Sequence, residues 1–268
     1  METLTCDYLR FIFAMYFEKV YYIPIVTCLI LNITVAVTFW MSISSKHVTY
    51  LLPYISDTGT IPPESCIFGQ MLNIIAVLLC IIMYIRYRHL RELIGKFDYL
   101  ETQQRINYLT LIIGYLACIG CSIVGNFQEL HVLVIHWVGA GLTFGMGSVY
   151  MILQAVLSFK IYPKLGTKTR NVIKGVLSII GFITFLVFFV GAIISLPRFS
   201  GADITKWKKE DGYFIAHEIS SFAEWICAGC TSAYIFLLHY DFKDIQLSEP
   251  IIIINNAISL NINNTSRF

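Results

Sequence analysis

The residues of this chain best placed to do chemistry lie on one stretch near its C-terminal end. His217, Ser221 and Glu224 stand at i, i+4 and i+7, so a helix would carry all three on one face. Around them, Tyr213–Leu238 is otherwise apolar and long enough to cross a bilayer. An acid in mid-membrane costs roughly 2.5–3.5 kcal/mol on insertion scales. At about 1.5 Å per residue, Glu224 lies roughly 16 Å into the span. No Lys or Arg is expected deep enough to neutralise it, since Lys174 falls at the far end of its own span. Polar company comes from Asn32, Asn73 and His136 inside other apolar stretches, and from Asp57, Asn126 and Gln128 at one edge. The candidate site is therefore Asp57, Asn73, Asn126, His136, His217, Ser221 and Glu224. Such a set can hold helices in register by mutual hydrogen bonds, bind a ligand or lipid, pass protons, or do acid/base work.

Other motifs carry less. Asp57-Thr58-Gly59 matches the short motif of aspartic proteases, but that chemistry needs two such carboxylates sharing a site, and there is no second motif. With Leu52-Pro53-Tyr54-Ile55-Ser56 before it, it reads as a structured turn. Cys118-Ile-Gly-Cys121 and Cys227-Ala-Gly-Cys230 have zinc-like spacing, yet both lie in apolar stretches where small packing residues are expected. No metal, cofactor or nucleotide fingerprint is present. Gly141-x-x-x-Gly145 is a small-xxx-small pair, suited to packing inside a bundle or to a homodimer. Tyr8–Phe11 and Tyr162–Leu165 fit a tyrosine sorting pattern, but tyrosines are also at home at a membrane interface.

The elements that must position these groups follow from composition. Of 268 residues, 57% are hydrophobic and 13% charged, with a mean hydropathy of +0.70. A soluble domain carries roughly 25% charge, so the apolar surface here needs lipid to cover it. The net charge of +2 and the lack of a basic, aromatic-interleaved stripe exclude a nucleic-acid partner. Spanning about 30 Å of hydrocarbon takes roughly 20 apolar residues. Six segments qualify: 22–41, 67–85, 108–124, 132–157, 172–196 and 213–238. The fold class is thus all-α, a polytopic six-transmembrane-helix bundle forming one domain over residues 1–268. Glu2, Asp7 and a short first apolar run argue against a cleavable leader.

Lys and Arg gather after the second and fourth spans (Arg86, Arg88, Arg91, Lys96, Arg105; Lys160, Lys164, Lys168, Arg170). The first connection has only Lys46; the fifth, with Arg198, Lys206, Lys208 and Lys209, is the exception. The positive-inside rule then puts both termini in the cytoplasm. It leaves the sequons at Asn32, Asn263 and Asn264 unglycosylated.

Leu52–Gly59, Pro63-Glu-Ser65, Phe68-Gly69, Asn126-Phe-Gln128, His136 with Gly139-Ala140, and Thr143–Gly147 resemble the damage-regulated autophagy modulator (DRAM) family. So do Trp207, Gly212-Tyr213, His217 and Ala223-Glu224-Trp225; the similarity runs from Leu51 to Phe242. Lys208-Lys209 departs from the Asn-Pro pair usual after that Trp, and residues 1–20 and 248–268 match nothing in the family. The resemblance implies a six-helix lysosomal or endosomal membrane protein that promotes autophagy and is linked to cell death, without evident catalysis. Its expected partners are membrane lipids and proteins within the bilayer, including a second copy through Gly141 and Gly145. The wider superfamily includes a factor for remodelling lipid-anchored proteins. The rival readings are an intramembrane lipid-modifying enzyme and a small proton-coupled transporter.

Overall fold

In the computed structural model, residues 19–49, 52–97 and 101–247 are described. Six helices in them are long and apolar enough to cross a membrane. They are α1 (Tyr22–Ser44), α2 (Glu64–Lys96), α3 (Glu101–Asn126), α4 (Leu133–Ile161), α5 (Lys168–Ser195) and α6 (Phe214–Asp241). The bundle is the unit Tyr21–Asp244. The tail sequons at Asn263 and Asn264 and the Tyr8–Phe11 pattern lie outside the described residues.

The helices are amphipathic in the sense lipid demands, with polar groups inward. On α1 the buried residues include Thr27, Thr34, Thr38 and Ser42, while Leu29, Ile33 and Trp40 are exposed. Hydroxyls can face a dry interior because they donate to carbonyls one turn back, Thr34 to Ile30 (2.7 Å) and Ser42 to Thr38 (2.8 Å). α5 repeats the pattern: Asn171, Lys174, Ser178 and Gly181 are buried, and Ile179, Ile183 and Val190 face out. Asn32, the sequon inside α1, is tied to α6 through Ser232 Oγ (2.8 Å).

Two elements depart from simple spans. α2 runs 33 residues, well past the expected end at Ile85. Arg86, expected in a solvated connection, is instead fully buried and donates to Gln154, Ser158 and Asp241. Hydropathy ends where charge begins, but an arginine with matched acceptors lets the helix continue inside the bundle. α4 contains a π-helical turn at Gly141–Met146 between Leu133–Ala140 and Gly147–Ile161. Close approaches accompany that turn. A Cβ on Gly120 of α3 would sit 2.6 Å from the Thr143 backbone, and one on Gly139 would meet Ile123 at 2.7 Å. Gly141 and Gly145 receive the rings of Phe189 and Phe185 from α5, the packing use of the small-residue pair.

The cysteine pairs do not converge. Cys121 Sγ points to the Leu72 carbonyl on α2 (3.6 Å) and Cys227 Sγ to the Gly181 carbonyl on α5 (3.4 Å), and both thiols are free. Leu165 is buried beside Leu90, Ile94 and Ile161, so the apolar position of Tyr162–Leu165 is taken up by the core.

Candidate functional site

The site is built where the α1–α2 connection enters the bundle. Residues 53–60 are almost all buried, including Pro53, Tyr54, Ile55, Asp57, Thr58, Gly59 and Thr60. An irregular segment inside a bundle must have its backbone groups satisfied by side chains, and α6 does this with neighbouring residues. Ser221 Oγ donates to the Leu52 carbonyl (2.6 Å), and Trp225 Nε1 donates to the Pro53 carbonyl (2.8 Å). Glu224 Oε2 accepts the Ile55 N–H (2.7 Å). The Tyr54 hydroxyl donates to Ser220 Oγ (2.7 Å), which donates in turn to the Phe188 carbonyl (2.6 Å).

The segment also ties itself. Asp57 Oδ2 accepts the Tyr54 N–H (3.1 Å), and Thr58 Oγ1 donates to the Ile55 carbonyl (2.7 Å). Its short 3-10 turn, Asp57–Gly59, packs so tightly on α2 that a Cβ on Gly59 would fall 2.3 Å from the Phe68 ring. That contact accounts for the glycine in the motif better than any catalytic reading.

Three carboxyl groups meet here. Glu129, from the α3–α4 turn, accepts from Ser56 Oγ (2.9 Å) and is itself buried. Asp57 lies beside Glu129 and near Glu224. Burial first, then the charges of Glu129 and Glu224, hold the Asp57 carboxyl well above the usual aspartate value of 3.8. Burial likewise raises the Tyr54 hydroxyl.

Below these acids runs an internal cavity of about 120 Å³. Ser56, Glu129, His136 and Glu224 line its acidic end; Leu72, Phe188 and Ala228 belong to its apolar walls. His136 Nδ1 donates to the Phe127 carbonyl (2.7 Å), which ties the start of α4 to the end of α3.

The seven residues expected to form one cluster therefore divide. Asp57, Ser221 and Glu224 meet around the buried segment, and His136 joins Glu224 on the cavity wall. His217 is held by rings, stacked on Trp207 (centroids 4.1 Å) and edge-on to Tyr54 (4.9 Å). Asn73 and Asn126 form a separate pair. Asn126 Nδ2 donates to Asn73 Oδ1 (2.9 Å), Ser122 Oγ donates to the same oxygen (2.7 Å), and Asn126 is exposed. The pair bolts α2 to α3 away from the cavity. Sequence reasoning missed Glu129, Tyr54 and Ser220. Glu129 sits in a short turn that reads as solvated, and its only signal was an acid on the same edge as Asp57. Among the described residues, no group of three His, Cys, Asp or Glu side chains is arranged to hold a metal ion.

A second buried charge set lies at the opposite end. Asp241 of α6 is paired with Arg86 (2.8 Å) and with Lys174, all three fully buried, and Arg170 stands 4.0 Å away. Lys174 is thus spent on Asp241 and is not a partner of Glu224.

The family model described as Frag1/DRAM/Sfk1/Cwh43P N-terminal domain matches residues 19–245. The chain is 40% identical over 212 residues to DNA damage-regulated autophagy modulator protein 2 of Bos taurus, covering 77% of each chain. It is 34% identical over 212 residues to DNA damage-regulated autophagy modulator protein 1 of Homo sapiens, covering 79% of this chain and 86% of that one. The modulator of macroautophagy TMEM150B of Xenopus tropicalis is 36% identical over 173 residues, 64% of this chain and 71% of that one. No solved structure matches.

Proposed function

The chain belongs to the Frag1/DRAM/Sfk1/Cwh43P family, and from that membership we propose that it is a lysosomal or endosomal membrane regulator that promotes autophagy and is linked to cell death. The observation that carries the reading is the naming of its relatives, autophagy modulators aligned over most of their length. An autophagy-related role follows from those relatives; the compartment and the direction of the effect are the proposed part. The regulator works without catalysis, through lipids and proteins met within the bilayer. Supporting this, the polar side chains that α6 aims inward are used on the α1–α2 segment: Ser221, Glu224 and Trp225 each bond its backbone. Both termini are cytoplasmic in this reading, which rests on the distribution of Lys and Arg.

A second reading, acid/base or proton-coupled work, is favoured by one feature, the placement of Glu224 and Glu129 on a cavity wall. The test of the first reading is deletion of the gene followed by measurement of autophagic flux under starvation, with the tagged protein imaged against lysosomal markers. Flux should fall on deletion and return with the wild-type chain, and the tag should coincide with lysosomes or endosomes. Unchanged flux on deletion would remove the reading.

A further inference from the structure

The internal cavity has a shape and a charge that the regulator reading leaves unused. It follows α6 from Glu224 to Ile235, and eleven steps of about 1.5 Å make it roughly 16 Å long. Over that length its lining is almost wholly apolar side chains, the surroundings a hydrocarbon chain takes.

Its ends differ. The lower walls, from Leu79 and Ala228 to Ile235, are apolar but for Thr231, whose hydroxyl donates to the Cys227 carbonyl, while Ser56, Glu129, His136 and Glu224 close the upper end. No Lys or Arg lines it anywhere. Carboxyl groups facing a low-dielectric slot favour a cationic, hydrogen-bond-donating head and repel a carboxylate or phosphate. A route from the bilayer is visible as well. Trp137, Phe189 and Leu196 line both this cavity and an outer groove of about 680 Å³ beside the exposed Val134 and Val138. The rings of Trp137 and Phe189 in that shared layer stand 6.2 Å apart.

We propose that this cavity binds a single-chain amphiphile with an amine head, a long-chain alkylamine, admitted from the bilayer between α4 and α5. The chain lies along α6, and the ammonium meets Glu129 and Glu224. The site stands on geometry and charge, whatever becomes of the autophagy reading.

The test uses the full chain in phosphatidylcholine nanodiscs with a dodecylamine bearing a photoactivatable group in mid-chain, and maps the cross-links by mass spectrometry. Labels should fall on cavity residues such as Leu72, Phe188 and Ala228. Excess dodecylamine should cut labelling by about tenfold, whereas lauric acid and dodecanol should not. Ala228→Trp and Leu72→Trp narrow the slot from two different helices, and Glu129→Gln removes a carboxyl group at constant size. Thermal melting selects the folded variants. Folded tryptophan variants should lose the label, and Glu129→Gln should weaken it several-fold. Labels confined to outward residues such as Val77 or Val134 would overturn the site. Competition by lauric acid or dodecanol equal to that of the amine would overturn the head-group assignment.

Discussion

At the scale of single residues, Asp57 has the clearest electrostatic consequence. It lies outside the spanning helices, and burial together with Glu129 and Glu224 raises its carboxyl above the ordinary value. A raised acid favours the fold below its unfolded value, and that contribution is lost as pH climbs through the folded value. On lowering the pH from about 7 to about 5, the nanodisc-embedded protein should therefore gain more melting temperature than its Asp57→Asn variant does. Asp57→Asn keeps an acceptor for the Tyr54 N–H. An equal pH response in the wild-type chain and the Asp57→Asn variant would argue against a raised Asp57 carboxyl. The motif around Asp57 was legible as a structured turn, since proline, an Asx acceptor and glycine each have a turn-forming reason. Its partner Glu129 was not, because a lone acid in a six-residue connection looks like any solvated charge.

At the scale of elements, α6 performs two ties, one at each end. Near its start Ser221, Glu224 and Trp225 hold the buried segment; at its finish Asp241 holds α2 and α5 through Arg86 and Lys174. Removing the only acid from a buried set strands cations in a medium that cannot solvate them, at about 3–5 kcal/mol. Asp241→Asn should therefore lower folded yield sharply, whereas Lys174→Met leaves the Arg86–Asp241 pair whole and should be tolerated far better. Thermal melting of the two variants decides it, and equal losses would deny Asp241 its central place. The spans themselves could be read from uncharged runs, because hydrocarbon forbids unpaired charge. The continuation of α2 to Lys96 could not. Its signal is a set of acceptors on other helices, Gln154, Ser158 and Asp241, which no local window contains. The same limit explains Asn73 and Asn126, whose depth was legible but whose pairing depends on which faces α2 and α3 turn to each other.

At the scale of the whole molecule, the proposed orientation, six spans with both ends cytoplasmic, would leave no sequon exposed to the glycosylation machinery. Asn32 lies within α1 against Ser232. Treatment with a glycosidase should leave electrophoretic mobility unchanged, and epitope tags at either end should stain only after permeabilisation. Sugar on Asn263 or Asn264 would overturn the six-span count or its orientation. The central claim is that Glu224 serves the fold by holding the Ile55 N–H, and that the molecule acts as a regulator. Two substitutions test it directly in gene-deleted cells, read as protein abundance, lysosomal delivery and autophagic flux. Glu224→Gln offers the same N–H an amide oxygen of equal reach, so abundance, delivery and flux should stay near wild type. Glu224→Leu leaves a buried donor without a partner, at about 1–3 kcal/mol, and should lower abundance. A Gln variant that is abundant and correctly delivered yet restores no flux would contradict the account and move the assignment to proton transfer or catalysis.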